Sequence, residues 1–235
     1  MSLRIIKDST PLNPYMNLAV EEALNNVEVN TPIVRLWINK PSVILGRFDE
    51  VLREVNIGYC IANDIYVARR HSGGGAVYHD EGNLNITLVF PRKYGLDLCE
   101  CYESLGEVII EVINELGLDA EFQRPNEILI NGFKVSGMAG SLTKHSLQCH
   151  STLLISSDLT KLTSSLRRLK RDVTTLSNEL KAHVNAEFVS DKIVEAVIRK
   201  FNPSSVDEGL KDDELELARE LYGIRYSLIS WHFSR

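Results

Sequence analysis

The sequence lacks any long apolar run and any excess of basic residues, and each absence excludes a class of protein. No stretch of the 235 residues approaches the roughly 20 uninterrupted apolar residues that a membrane-spanning helix needs. The N-terminus, MSLRIIKDST, lacks a signal-peptide pattern. A formal net charge of -6 argues against nucleic acid as the main partner, because neutralising phosphates requires a basic surface. We therefore predict a cytoplasmic protein with no membrane partner and no nucleic-acid partner.

Cysteine is also scarce. The four cysteines are Cys60, Cys99, Cys101 and Cys149, and their spacings fit neither a zinc site nor a disulfide framework. Free thiols are therefore expected, which suits a reducing compartment. Apolar residues make up 44% of the chain, which is enough to bury a large core.

The most distinctive stretch that is present is RRHSGGGAVYHD, residues 69–80, which runs on to Asn83 and Asn85. Three successive glycines lower the cost of unusual backbone angles and leave no Cβ atoms to block a ligand. Arg69 or Arg70 would be available to an anionic group. The stretch is neither a GxxxxGK[ST] phosphate loop nor a GxGxxG turn before a helix. A strand-like run, NLNITLVF, follows it, which predicts a ligand gripped along an extended segment, as in an acyl or acyl-adenylate site.

Apolar periodicity predicts strands and helices without an internal repeat. The predicted strands cover residues 3–6, 33–38, 43–46, 65–68, 127–130, 133–138 and 147–155. The predicted helices cover residues 15–27, 56–62, 101–116, 158–169, 189–201 and 212–222. Asn131-Gly132 is a hairpin signal between two of the strands, and residues 202–205 are predicted to be a linker. The resulting class is α+β, with a mixed, mostly antiparallel sheet flanked by helices.

Two blocks of the sequence resemble a known family. The run RRHSGGGAVYHDEGNLN resembles the signature of the lipoate-protein ligase A family, within the biotin/lipoate ligase and octanoyltransferase superfamily. A second block, PNEILINGFKVSGMAG at residues 125–140, resembles the family's Asn-Asp pair, short hairpin and lysine before a small-residue strand. One departure is Glu127, which stands where the family usually has Asp.

The resemblance implies a biotin/lipoate ligase-like fold and an enzyme that makes lipoyl-adenylate from lipoate and ATP. The acyl group would pass to a lysine on a lipoyl domain of a 2-oxoacid dehydrogenase E2 or on the glycine-cleavage H protein. Mg²⁺ is the implied metal. We expect one catalytic domain over residues 1–235, with a core of about 1–157 and a helical part of about 158–235.

A separate small accessory subunit is also expected. Many bacterial relatives continue into a small C-terminal domain, whereas this sequence stops at Arg235, and no such accessory domain is expected here. The apolar run YSLISWHF near the end would either pack onto the parent domain or form an interface with that subunit.

Carried over residue by residue, the family pattern implies that the Lys134 ammonium neutralises the lipoate carboxylate and the α-phosphate. Asn126 and Glu127 are the residues implied near a magnesium ion. The residues implied to bind lipoate or ATP are Arg70, Ser72, Gly73, Gly74, Gly75, Ala76, Val77, Tyr78, His79, Asn83, Asn126, Lys134, Gly137 and His150. Leu18 and Ile44, with Val77, are candidates for an apolar tunnel, with ordinary core packing as the alternative.

Other functions remain open at this point. A cysteine-dependent octanoyl or lipoyl transferase would use Cys149 beside His150 as a nucleophile, although neighbouring residues on a strand point to opposite faces. A biotin ligase is disfavoured because a Gly-Arg-Gly-Arg type loop is absent. A non-catalytic lipoate-binding protein would lack the lysine, and Lys134 is present.

A basic cluster between Lys161 and Lys181 has two interpretations. It is either a solvated helix face or a docking patch for an acidic lipoyl-accepting protein.

Overall fold

The structure is a computed structural model that describes residues 2–235. The strands are β1 (Ser2–Leu12), β2 (Ile33–Asn39), β3 (Ser42–Leu45), β4 (Tyr66–Arg69), β5 (Val77–His79), β6 (Asn83–Pro91), β7 (Ala120–Gln123), β8 (Glu127–Ile130), β9 (Phe133–Leu142), β10 (Ser146–Leu154) and β11 (Ser205–Glu208). The helices are α1 (Pro14–Asn26), α2 (Val51–Glu54), α3 (Ile57–Ala62), α4 (Leu98–Glu115), α5 (Leu159–Ser165), α6 (Leu176–Leu180), α7 (Ala186–Phe201), α8 (Asp212–Leu221) and α9 (Ile229–His232). A π-helical turn at Tyr222–Tyr226 follows α8.

Most of these strands belong to one sheet. Across residues 2–235 the large sheet has the strand order β11-β1-β2-β6-β10-β9-β8-β7, and a small sheet has the order β4-β3-β5. In the large sheet β1 pairs in parallel with β2 and β11, whereas the other pairs are antiparallel. The predicted α+β class with a mixed, mostly antiparallel sheet is confirmed.

The large sheet is covered on both faces, and β2 shows how. Val34 and Leu36 join the apolar core that contains α4 and α7, whereas Ile33 and Trp37 join a second core formed with α1 and α8. Every residue of β2 is buried as a result. The strand therefore has a continuous apolar pattern rather than an alternating one, because successive side chains enter different cores.

Three sequence predictions were wrong, and one strand was missed. The helix predicted at 158–169 ends at Ser165, because the Ser165 carbonyl accepts from the Asn56 amide and the Arg167 amide donates to the Glu54 carbonyl. The predicted linker at 202–205 runs into β11, which pairs with β1, so the part of the chain after 158 is not purely helical. Strand β7 was not predicted.

The third error concerns the cysteines. Cys101 on α4 and Cys149 on β10 form a disulfide, with a Cα–Cα distance of 6.1 Å, although 48 residues separate them in sequence. Packing of α4 on the sheet brings the two cysteines together. Their spacing in the sequence does not predict this contact. Cys60 and Cys99 are free, as predicted.

No helix within residues 2–235 is both long and apolar enough to cross a membrane.

Candidate active site

A cavity of about 950 Å³ lies between the two sheets. Its walls come from α1, β2 and β5, from the small-residue side of β9, from β10, and from the chain that follows α5. One section is apolar and the other carries most of the charged groups. Both glycine-rich blocks of the sequence line this one cavity, although the first ends at Asn85 and the second begins at Pro125.

The glycine loop, residues 70–76, is held by the side chain of Arg70. This guanidinium is 5% exposed and donates to the carbonyls of Ile44, Gly73 and Gly75 at 2.5–3.1 Å. Burial lowers the pKa of Arg70 to about 10, so the side chain stays charged at neutral pH. Because its donors face loop carbonyls, Arg70 fixes the loop in place.

The preceding Arg69 is not available to an anionic ligand. Its side chain is fully buried and donates to the carbonyls of residues 46, 47, 49, 231 and 232. The diarginine therefore ties β4 to the glycine loop on one side and to the C-terminal segment on the other.

Gly74 is the loop position that requires glycine. Its φ is +87°, and a Cβ atom there would lie 2.8 Å from Nη2 of Arg70 and 3.2 Å from Cβ of Ala139. A Cβ at Gly73 would meet nothing within 4 Å, and its φ lies outside the positive range. The three glycines are thus not equivalent.

We expect Gly74→Ala to reduce kcat/KM for lipoate about tenfold, because a left-handed backbone costs a non-glycine residue about 1–2 kcal/mol and the loop must move. Gly73→Ala is the matched control and should stay within about twofold of the wild type, since no neighbour or backbone strain opposes it. Steady-state kinetics with lipoate as the varied substrate test both. Equal effects of the two substitutions would show that the loop conformation does not matter.

Lys134 lies at the charged section of the cavity. Its Nζ atom donates to Oε1 of Glu127 at 2.8 Å, and Oε2 of Glu127 accepts from Nε of Arg171 at 3.1 Å. Burial alone would raise the pKa of Glu127, but the hydrogen bond and charge of Lys134, together with Arg171, lower it. The lysine side chain crosses Gly137, where a Cβ would lie 2.7 Å from Nζ. The glycine at 137 therefore leaves the space that the ammonium occupies.

A basic loop, residues 167–173, closes the charged section. Arg167, Arg168, Lys170 and Arg171 all line the cavity, and Lys170 Nζ comes within 3.7 Å of a Cβ position at Gly75. The end of the loop is fixed to β9, because the Lys134 amide donates to the Asp172 carbonyl and the Lys134 carbonyl accepts from the amide of residue 174. The segment is a loop and not a helix face, and its basic residues are exposed to solvent while also lining the cavity.

A buried polar cluster borders the apolar section of the cavity. Glu21 on α1 accepts from Arg35 at 3.0 Å and from Thr87 at 2.8 Å, and Nδ1 of His150 lies 3.5 Å from its Oε2. Nε2 of His150 lies 3.0 Å from Oγ of Ser72. Burial would raise the pKa of Glu21, but His150, Arg35 and Thr87 outweigh burial and lower it. The cluster links α1 to the glycine loop through the imidazole.

The apolar section contains the three side chains predicted to form a tunnel. Leu18, Ile44 and Val77 line it, together with Trp37, whose indole nitrogen donates to Thr87. The ring of His79 lies at this end, 6.1 Å from the ring of Trp37.

The predicted site residues divide into two groups. Those that line the cavity are Arg70, Gly74, Gly75, Ala76, Val77, Tyr78, His79, Asn126, Glu127, Lys134, Gly137 and His150. Ser72, Gly73 and Asn83 are not in the wall. Ser72 supports Arg70 and His150 from behind, and the side-chain amide of Asn83 donates to Asn85, which does line the cavity. The ligand contacts predicted for all of these residues stay predictions.

Several side chains at the cavity were not predicted from the sequence. Glu21 and Arg35 are charged residues inside otherwise apolar segments, NLAVEEAL and IVRLWIN, and this pattern was the available signal for a buried ion pair. The positions of Trp37 and the basic loop had no comparable signal, because they depend on the path of the chain after α5 and on the sheet register.

Residues 13–198 match the family model "Lipoyl protein ligase A/B catalytic domain". Lipoate-protein ligase A subunit 1 of Thermoplasma acidophilum is 30% identical over 255 residues, covering 99% of this chain and 97% of that protein. Lipoate-protein ligase LplJ of Bacillus subtilis is 30% identical over 237 residues, covering 95% of this chain and 71% of that protein. A relative from Aeropyrum pernix is 38% identical over 167 residues, which are 70% of this chain and 61% of the relative's length.

Solved structures agree with these matches. The T. acidophilum protein with bound lipoic acid aligns with a TM-score of 0.88 at 29% identity, covering 99% of this chain and 100% of that one. A lipoate-protein ligase A bound with ATP aligns with the same TM-score and identity, covering 99% of both chains. A bi-partite lipoate protein ligase from T. acidophilum, studied with its E2 lipoyl domain, aligns at 0.88 and 28% identity, covering 99% of this chain and 96% of that one.

The fold and the cavity thus define an acyl-ligase type of domain. The chain belongs to the lipoyl protein ligase A/B catalytic domain family, and the resemblance predicted from the two sequence blocks is confirmed.

Proposed function

We propose that this chain activates lipoate with ATP and transfers the lipoyl group to a lysine of a lipoyl-accepting domain. The observation that carries the proposal is the single cavity in which an apolar section meets Lys134 and the basic loop. The apolar section suits an acyl chain, and the charged section suits a nucleoside triphosphate. The ligands named for the T. acidophilum protein and for the ATP-bound ligase are the same two.

The reaction has two steps that these residues can serve. A lipoate carboxylate oxygen attacks the α-phosphorus of ATP, the bond between the α- and β-phosphates breaks, and pyrophosphate leaves. The acceptor lysine's neutral ε-amine then attacks the acyl carbon, AMP leaves, and the amine loses a proton to form the amide. In both steps negative charge collects on oxygens around the α-phosphate, and the Lys134 ammonium would stabilise that charge.

The basic loop would hold the phosphates. Arg167, Arg168, Lys170 and Arg171 place four cations around one section of a cavity in a chain whose net charge is negative. Guanidinium groups bind phosphate oxygens through paired N–H donors. Docking of an acidic lipoyl domain on the exposed side of the same loop stays a prediction.

Asn126 and Glu127 fit a nucleotide-borne Mg²⁺. The side-chain nitrogen of Asn126 donates to the Met138 carbonyl, which leaves its oxygen for an ion, and Glu127 supplies one carboxylate. Mg²⁺ takes one or two protein oxygens when phosphates and waters complete its shell. The ion, when bound, would add positive charge at the phosphates, while Lys134 and Arg171 already hold Glu127 in place.

The proposal is tested by mixing the purified chain with lipoate and a lipoyl domain, with and without ATP. An octanoyl-carrier donor without ATP is the comparison. ATP-dependent pyrophosphate release and a lipoylated lysine are expected. Transfer from the carrier donor without ATP, and none with lipoate and ATP, would overturn the ligase assignment in favour of a transferase.

A cytoplasmic location is part of the same proposal. The Cys101–Cys149 disulfide removes the argument from free thiols, and the location stays a prediction.

An accessory subunit is the second part of the proposed function. The T. acidophilum relative, matched over 97% of its length, is subunit 1 of a bi-partite ligase. We place the contact on a C-terminal patch, defined as Phe48, Leu52, Ile229 and Phe233. These side chains are 65%, 73%, 74% and 42% exposed. Exposed apolar side chains that cluster in this way mark protein interfaces.

The patch is continuous with the glycine loop. The amide of residue 51 donates to the carbonyl of Arg235 at 3.1 Å, and the Arg235 guanidinium lies over the ring of Phe48. Arg69 bonds to carbonyls on both sides of this contact and is followed directly by Arg70, which holds the glycine loop. A subunit bound here would act on the cavity through the two arginines.

We expect Ile229→Asp to weaken binding of the accessory subunit at least tenfold, because a charge replaces an apolar contact. The free energy of unfolding should change by less than about 0.5 kcal/mol, as is usual for an exposed residue. Ile198→Asp on α7 is the control. Calorimetric titration with the counterpart subunit of the T. acidophilum ligase measures the effect, and equal losses in both variants would place the contact elsewhere.

A further inference from the structure

The imidazole of His79 is buried at the apolar end of the cavity with one nitrogen unused. His79 is 3% exposed, and among residues 2–235 its Nε2 has no hydrogen-bond partner. Its Nδ1 lies 3.0 Å from the side-chain nitrogen of Asn39. A buried polar atom without a partner is uncommon and requires an explanation.

A chain of hydrogen bonds fixes which nitrogen carries the proton. Arg35 has only donors, so the Asn17 atom 2.6 Å from its Nη2 is the oxygen. The Asn17 nitrogen therefore donates to the side-chain oxygen of Asn39 at 2.9 Å. The Asn39 nitrogen is then left to donate to Nδ1 of His79, which must be the acceptor.

His79 is therefore a neutral imidazole with its proton on Nε2. Burial first, and then the charges of Arg70 and His150, lower the pKa of His79 to about 3. The ring stays uncharged at any pH at which the protein would be assayed. Nε2–H is consequently a donor with a fixed direction, set by the side chains of Arg35, Asn17 and Asn39.

Most of the side chains around this donor are apolar or already hydrogen-bonded. Leu18, Trp37, Ile44 and Val77 line the same section, and the Trp37 nitrogen already donates to Thr87. The Asn85 side chain accepts from Asn83 and donates to the Trp37 carbonyl. None of these side chains accepts from Nε2–H, which leaves this donor free for a ligand.

The position matches the far end of an acyl chain. The Lys134 ammonium lies over Gly137, and Gly137 and Ala139 are two residues apart on β9, which is about 7 Å along a strand. Ala139 is paired with His150, which is paired with Thr87, the residue bonded to Trp37. A chain whose carboxylate is at Lys134 thus points its distal end toward Trp37 and His79.

We propose that Nε2–H of His79 recognises a sulfur of the dithiolane ring and so makes the site selective for lipoate over saturated acids of the same shape. The inference rests on the proposed function and adds the side chain that would recognise the dithiolane end of lipoate. A sulfur is a weak acceptor and a methyl or methylene group is none. Octanoate would leave the donor unpaired in an apolar wall, whereas lipoate would satisfy it.

The test is calorimetric binding of three acids without ATP: lipoate, octanoate and 5-cyclopentylpentanoate, in which carbon replaces both sulfurs of the ring. The wild type should bind lipoate about fivefold or more tighter than the cyclopentyl acid. His79→Phe should bind these two equally. His79→Gln, whose amide nitrogen reaches the place of Nε2, should keep part of the preference.

The controls separate this inference from the proposed function. His145→Phe replaces a histidine outside both the cavity wall and the glycine loop, and its lipoate preference should equal that of the wild type. Equal binding of lipoate and the cyclopentyl acid by the wild type, or an unchanged preference in His79→Phe, would overturn the role of His79 and leave the ligase assignment standing. Failure of every acid to bind the wild type would overturn both. Thermal unfolding of each variant shows that it is folded, and His79→Gln decides the matter should His79→Phe not fold.

Discussion

Lys134→Ala should lower the rate of lipoyl-adenylate formation by about 100- to 1,000-fold, because it removes the cation nearest to the charge that develops in the transition state. The fold should be retained, since the side chain is at a cavity wall and not in either apolar core. Pyrophosphate release in single turnovers measures the chemical step. Lys144→Ala, an exposed lysine in the turn between β9 and β10, is the control and should leave the rate unchanged.

Lys134→Arg gives this prediction a second comparison. The charge is kept, but the larger head group cannot occupy the space above Gly137, so only part of the rate should return. Pyrophosphate release by Lys134→Ala at the wild-type rate would remove the lysine from the mechanism.

Replacing both Cys101 and Cys149 by alanine should lower the free energy of unfolding by about 4 kcal/mol, because a cross-link that closes a loop of this length restricts the unfolded chain. The melting temperature should fall by roughly 8–16 °C for a chain of this size. Activity measured well below the melting temperature should stay within a few-fold of the wild type. Cys99→Ala, which changes an exposed free cysteine, is the matched control for stability.

The same variant decides between ligase and thioester chemistry. Cys149 is fully buried and bonded to Cys101, so it has no thiolate to offer an acyl group. A hydroxylamine-sensitive acyl adduct on the wild type that vanishes in the double variant would favour the transferase. Unchanged stability would instead mean that the disulfide does not form in solution.

The parts of the site that were predicted from the sequence are those formed by short continuous segments. The glycine loop and the hairpin before Lys134 each lie within about fifteen residues, so their residue types and order were sufficient to place them together in a family. The α+β class followed in the same way, because strands and long helices such as α4 have strong periodic patterns.

The parts that sequence did not predict depend on contacts between distant segments. The disulfide requires α4 to lie on β10, and the basic loop leaves its helix because the chain near Glu54 accepts its amide. Arg70 was predicted to bind lipoate or ATP, and a local pattern could not show that its side chain also donates to the carbonyls of Ile44, Gly73 and Gly75. His79 shows the same limit, because its proton position is determined by Arg35, Asn17 and Asn39 on other elements.

The attachment of the basic loop to β9 has a consequence for the lifetime of a reactive intermediate. The backbone of Lys134 bonds to the basic loop on both sides of Val173, so the loop and the strand segment that carries Lys134 are parts of one pairing. A mixed anhydride such as an acyl-adenylate is destroyed by water, and closing a site around it prevents that loss. In the proposed mechanism this pairing would keep the Lys134 ammonium and the basic loop together, so the groups that activate lipoate would also shield the adenylate from water.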